Sequence, residues 1–376
     1  RLFQLLELAR QGQGAAVGIT GEAGAGKSRL CTEFAARCAD QGIAVHRVRA
    51  MAHGPVVPMA PMLELLRQAC FEPGHTASPE QMRGMLASAL ARVGQLEAAN
   101  VELLHDLFGL LEPGTPPPRD VLARPARLQA LIRALLRDPL APCRVLMVDD
   151  LHWLDRSSQD MLGVVTAAVA GTRTLLVCNS RTSLPPDWGP LAHTTHMGLG
   201  ALPFSHVREL LAAWCASAPE RQGGLPPDVL DDLVARCQGN PLFAEELARH
   251  VVRGGALDTL PESIEAIIGA RLDALDDTLK RVLYVGAIAG QRLEPQVLAS
   301  VLEQPPESLA PSLARLCALG ILVARGQPPV YDFAHPLQQE VAYASQLRSR
   351  RRDLHARVTG SLEHVRPPPA RRAEHA

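Results

Sequence analysis

One run of residues, Gly21-Glu22-Ala23-Gly24-Ala25-Gly26-Lys27-Ser28, has the types and spacing needed to hold a nucleoside polyphosphate. It fits G-x-x-x-x-G-K-S in full. Glycines at 21, 24 and 26 permit backbone angles that a Cβ would obstruct. The amides of Glu22, Ala23 and Ala25 then turn inward on phosphate oxygens. Lys27 is placed to bridge the β- and γ-phosphates and Ser28 to ligate Mg²⁺. Arg29 continues the first turn of a helix whose free amides and dipole favour an anion. The expected ligand is ATP or ADP with magnesium; the plain alternative is a glycine-rich turn between a strand and a helix.

A second group lies further along. Val145-Leu146-Met147-Val148 runs into Asp149-Asp150, an apolar strand ending in two carboxylates. In a P-loop fold that strand is expected beside the one feeding the loop. Asp149 would then sit near Mg²⁺, usually through water, and Asp150 could polarise an attacking water. Strands ending in Asp are common, so the reading depends on the loop upstream. Leu175-Leu176-Val177-Cys178-Asn179-Ser180-Arg181 ends the next strand with polar groups. Ligands of open parallel sheets sit at strand carboxyl ends. Arg181 can read a γ-phosphate there with its planar guanidinium, or be a surface arginine after a strand.

The elements that must position these groups follow from periodicity. Short continuous apolar runs at 15–20, 43–48, 144–148 and 174–178, with a further strand at 196–199, imply a parallel sheet covered on both faces. A helix over 27–39 carries Leu30, Phe34 and Cys38 on one face. Residues 58–138 are mostly helical, broken at 73–74 and 113–118. Helices alone follow 202, at 205–216, 227–237, 241–252, 261–275, 278–289, 294–302 and 306–319. Two short apolar runs around Gly326-Gln327-Pro328-Pro329 then predict a hairpin, and helices followed by a hairpin are the winged-helix pattern. A last helical stretch covers 341–365.

The expected architecture is a three-layer αβα P-loop NTPase with a parallel sheet, then a helical lid and a winged-helix domain. Its bounds are 1–202 with a helical insertion at about 58–138, 203–260, 261–345, and 346–376 as the start of a helical extension.

Composition narrows the function classes. With 376 residues, 47% hydrophobic and 20% charged, the chain can build real cores. A net charge of −1 supplies no global attraction to nucleic acid or anionic lipid. The eight cysteines form no C-x-x-C pair, which removes zinc-ribbon and thioredoxin-type chemistry and suits a reduced, cytoplasmic setting. No apolar run approaches the roughly 18 residues of a membrane span, and no signal peptide is present. The start at Arg1, inside a helical pattern, and the abrupt end after Pro367-Pro368-Pro369 read as a piece of a longer polypeptide.

GEAGAGKSRL, VLMVDDLHWLDRSS, SRT and CQGNPLFAEEL, in this order, resemble the AAA-like ATPase module of STAND signal-transduction NTPases. The similarity extends to the modules found behind class III adenylate cyclase domains and in large LuxR-type regulators, and it covers about 1–358. FAHPLQQEVAY, residues 333–343, resembles the end of the module. The resemblance implies that Pro241 of Gly239-Asn240-Pro241 packs on the adenine, although a helix stop and start explains that spacing equally. It implies that His335 touches the ADP β-phosphate in a closed state; a lone histidine by a hairpin is otherwise a satisfied polar residue. Many such proteins carry glutamate where Asp150 stands, which reaches one methylene further. Asp155 reads best as a helix N-cap before Ser157-Ser158, and Trp153 as core or lid packing.

The implied function is a nucleotide-dependent conformational switch with slow ATP hydrolysis, acting with itself or with partner proteins through flanking domains. Two other classes stay open. One is a DNA-binding loader or origin-recognition ATPase, supported by Arg348, Arg350, Arg351 and Arg352, which also suit a solvated helix face. The other is a nucleotide-binding scaffold without turnover.

Overall fold

Two apolar surfaces of one sheet organise the N-terminal half. A computed structural model describes residues 1–50, 59–71, 78–111, 124–181, 184, 188, 191–217, 226–252, 263–290, 292–326 and 328–365. The breaks expected at 73–74 and 113–118, Gln327 of the hairpin turn and the prolines at 367–369 lie outside these. Strands β1 (Ala15–Thr20), β2 (Ala44–Arg49), β3 (Arg144–Asp149), β4 (Thr174–Ser180) and β5 (Thr194–Gly198) form a parallel sheet in the order β2-β3-β4-β1-β5.

The expectation that the acidic strand lies beside the loop strand is therefore corrected, because β4 runs between β3 and β1. Leu175, Leu176, Val177 and Cys178 of β4 are almost wholly buried. A strand apolar on both faces gains most at the centre of a sheet.

Side chains alternate across the sheet. Val17, Ile19, Val145, Met147, Leu175 and Val177 share a core with α1 (Leu2–Arg10) and α2 (Lys27–Asp40). Ala16, Leu146, Val148, Leu176 and Cys178 face the other way. There they meet α3 (Ala60–Cys70), α4 (Pro79–Arg92), α5 (Ala98–Leu107), α6 (Arg124–Leu136) and α7 (Arg156–Ala168). The result is the three-layer arrangement, with the inserted helices inside one outer layer. Side chains set helix starts in this outer layer. Ser78 and Gln81 form a capping box on α4. Asp155 caps α7 by accepting from the Ser158 amide at 3.0 Å, as its sequence position suggests.

Beyond the sheet, α8 (Phe204–Ser217), α9 (Pro227–Cys237) and α10 (Pro241–Val252) pack around Leu211, Leu233, Ala244 and Leu247. Next come α11 (Ile264–Asp273), α12 (Asp277–Ala289), β6 (Arg292–Leu293), α13 (Pro295–Leu302), α14 (Pro306–Ala318), β7 (Leu322–Arg325) and β8 (Val330–Phe333). The three strands pair antiparallel in the order β6-β8-β7. The short β6 was not legible in the sequence.

The final helical stretch is two helices, α15 (Pro336–Ala344) and α16 (Arg348–Val365), separated at 345–347. Two arginines of α16 lie on aromatic rings, Arg350 on Tyr284 at 5.3 Å and Arg351 on Tyr343 at 4.8 Å, while Arg348 and Arg352 are exposed.

The two C-terminal cores interlock. Leu242 of α10 belongs to the core built by α11 to α16, and Ile267 of α11 belongs to the helical core before it. Glu246 ties them further. Its side chain is 1% exposed and meets Arg271 at 2.8 Å through both carboxylate oxygens, and Gln338 of α15 donates to it at 3.3 Å.

Candidate functional site

The glycine loop leaves β1 and enters α2 through two residues in left-handed conformation, Gly24 at φ 80° and Gly26 at φ 94°. Only glycine adopts such angles without strain. Lys27, 6% exposed, donates to the carbonyls of Gly21 at 2.7 Å and Glu22 at 2.8 Å. Burial lowers its pKa, Arg181 lowers it further, and Asp150 opposes the shift. A buried ammonium held by neutral carbonyls, with a second cation close by, is a site short of negative charge.

Asp149 and Asp150, 2% and 4% exposed, are held by groups from both neighbouring strands. Arg47 of β2 donates to Asp149 at 2.6 Å and to the Thr32 hydroxyl of α2 at 2.9 Å. Arg49, two residues on and hence on the same face of β2, lies 3.4 Å from the Asp150 carboxylate. From β4, the Asn179 amide donates to Asp149 while its oxygen accepts the Asp150 N–H at 3.0 Å. That second bond holds Asp150 at φ 61°, ψ 49°, a left-handed conformation Asp tolerates better than most residues. Burial raises the Asp150 pKa and Arg49 counteracts it.

One distant residue also reaches this edge. Asn240 donates to the Ala23 carbonyl at 2.8 Å, placing the start of α10 directly on the loop. A Cβ on Gly24 would lie 2.5 Å from the Asn240 side-chain oxygen and 2.9 Å from Leu242 Cβ, so the loop leaves no room for a side chain there. The same Asn240 oxygen accepts from the amides of Leu242 and Phe243, capping α10. Asn240→Ala is expected to lower stability by about 1 kcal/mol from the lost cap alone. Thermal unfolding of the nucleotide-free protein checks this.

Arg181 makes a bidentate pair with Glu340 of α15, at 2.8 and 2.5 Å. His335, just before α15, has its Nε2 3.7 Å from Glu245 of α10. Burial lowers its pKa, against the pull of Glu245 and Glu246, which favours the neutral ring. Pro241 opens α10 as its first helical residue, where a missing N–H costs nothing.

Four residues at this edge escaped the sequence reading: Arg47, Arg49, Glu340 and His152. The alternating arginines of β2 were the available signal, since a fully buried strand has no use for them. Burial near Arg181 and Lys27 lowers the His152 pKa to about 4, so its ring is neutral. Trp153 is 36% exposed and so is not core.

A parallel sheet with a phosphate-type loop after β1, and carboxylates on a strand one removed from it, defines a P-loop NTPase with an inserted strand. Residues 1–177 match the AAA ATPase domain family. An uncharacterised protein of Rhizobium meliloti (strain 1021) is 31% identical over 383 residues, covering 94% of this chain and 35% of that protein. The crystal structure of a Signal Transduction ATPase with Numerous Domains (STAND) protein with a tetratricopeptide repeat sensor, from Pyrococcus horikoshii, superposes with a TM-score of 0.55 at 14% identity. That alignment covers 99% of this chain and 46% of the archaeal one. The chain thus spans about a third and about half of these two relatives. Residues 1–177 are thus similar to the AAA ATPase domain family, and the chain shares the fold of the archaeal STAND protein. Among the described residues no helix is long and apolar enough to cross a membrane.

Proposed function

We propose that this chain is an ATP- and ADP-binding switch module that hydrolyses ATP slowly and works within a longer regulatory protein. One observation carries the reading: the phosphate loop is contacted by the start of α10, and the arginine of the neighbouring strand end is held by α15. A nucleotide at the loop therefore touches groups shared with the C-terminal elements. A ligand biases two arrangements only through different affinity for each.

The residues suit the ligand. Residues 21–28 form the cradle, with Arg29 beginning the helix behind it. Lys27 is a buried cation without a carboxylate bonded to it among the described residues. For magnesium, Ser28 and Asp149 supply the hard oxygens such an ion takes. Among the described residues no group of three or more His, Cys, Asp or Glu could hold a metal. A P-loop site needs none, because the phosphates complete the shell. Bound magnesium would neutralise charge on the phosphates. Arg47 acts as the counter-ion of Asp149, Asp150 orients the attacking water, and Arg181 reads the γ-phosphate. Pro241 and His335 close over adenine and β-phosphate from the lid and the winged helix. The domain bounds 1–202, 203–260, 261–345 and 346–376 fit this division of labour, with the second and third joined through Leu242, Ile267 and Glu246. All eight cysteines are free thiols, in keeping with a reducing, cytoplasmic setting. Partners would engage through flanking domains.

Copurified nucleotide, with mass by light scattering in ADP and in an ATP analogue, tests the switch. ADP on a monomer that becomes larger with the ATP analogue supports it; equal mass in both refutes it. Hydrolysis is expected to fall to background in Asp149→Asn and Asp150→Asn. Asparagine also tolerates left-handed backbone, so the second variant removes charge without adding strain at φ 61°. Absence of turnover above background in the unaltered chain would leave the scaffold reading.

A further inference from the structure

We infer that Glu340 sets the preference of this module between ADP and ATP by holding Arg181 away from the third phosphate. The inference rests on the nucleotide reading above. Arg181 follows β4 at the carboxyl edge of the sheet, near enough to Lys27 and Asp150 to influence the titration of both. Both of its terminal nitrogens are nevertheless given to one carboxylate, that of Glu340, at 2.8 and 2.5 Å. The two side chains are 22% and 20% exposed, shielded enough for the pair to be more than a screened surface contact.

A planar guanidinium engaged bidentately by a carboxylate has its fork occupied. A γ-phosphate would need the same nitrogens, so phosphate and Glu340 compete for one donor set. ADP lacks the competing group and leaves the pair intact.

Glu340 sits on a helix anchored away from the sheet. Gln338 of α15 donates to Glu246 of α10, and Gln339 donates to the Ala287 carbonyl of α12 at 3.2 Å. Releasing Arg181 therefore frees α15 from the sheet edge while it remains fixed to the C-terminal elements. The pair converts the presence of one phosphate into the loss of one contact between the two halves.

Affinities for ADP and a non-hydrolysable ATP analogue, both with magnesium, measured by fluorescent-nucleotide displacement, test this on the chain as it stands. Glu340→Gln keeps the side-chain volume and is expected to raise the affinity for the ATP analogue relative to ADP by roughly fivefold or more. Glu340→Lys repels Arg181 and should move the ratio further in the same direction, a grading that a merely structural role would not produce. Arg181→Gln should remove the preference and make Glu340→Gln silent in its background. An unchanged ratio in both Glu340 variants, with analogue affinity still lost in Arg181→Gln, overturns the inference and leaves the γ-phosphate reading standing. Unchanged analogue affinity in Arg181→Gln overturns both.

Discussion

Lys27→Ala is expected to weaken ADP and ATP binding by at least about tenfold. The lysine meets phosphate through charge-assisted hydrogen bonds worth roughly 1.5–3 kcal/mol each. The nucleotide-free geometry strengthens the expectation. Lys27 is 6% exposed, so its ammonium has left water already. It is bonded to two carbonyls of its own loop, those of Gly21 and Glu22, and its pKa is lowered by burial. An arriving phosphate meets a cation whose desolvation has been completed by folding. Isothermal titration with each nucleotide checks the effect. Unchanged affinity would remove the loop from the ligand site, and with it every role assigned around it.

Arg271→Ala carries the largest expected cost to stability, about 3–5 kcal/mol. Glu246 is 1% exposed at its side chain, and Arg271, 11% exposed, meets both its oxygens at 2.8 Å. Arg271 also donates to the Leu319 carbonyl at the end of α14. Removing the arginine leaves a buried carboxylate with, among the described residues, the Gln338 amide at 3.3 Å. An uncompensated buried charge costs far more than a well-made pair gains. Replacing both groups, Arg271→Ala with Glu246→Leu, should recover part of the loss because no charge is then stranded. Urea unfolding of the two variants tests this. A loss below about 1 kcal/mol in the single variant would mean that the pair is screened like a surface contact. The same network joins α10, α11, α14 and α15, so its loss should also loosen α10 from the elements after it.

Much of the fold was legible because it is written in short range. The continuous apolar runs of β1, β3 and β4 reflect burial on both faces of the sheet, and the periodicity of α2 reflects burial repeated about every 3.6 residues. Breaks were harder to read. The stretch at 341–365 has helical composition throughout, yet the helix stops at Ala344 and resumes at Arg348. β6, only two residues long, has no periodicity to detect and exists because β8 offers it an edge.

The sequence by itself determined the phosphate loop and its chemistry, because a run of adjacent residues supplies every backbone amide and the lysine. It also determined that Asp149, Asp150 and Arg181 close apolar strands. The tertiary structure decided where those ends lie and what holds them. Only packing could place β4 between β3 and β1, since any apolar strand can serve as the central one. Asp149 meets Arg47 across 102 positions, Arg181 meets Glu340 across 159, and Asn240 meets Ala23 across 217. Such pairs leave no periodic trace. A carboxylate on a helix reads as a solvated face until folding brings one particular guanidinium to it.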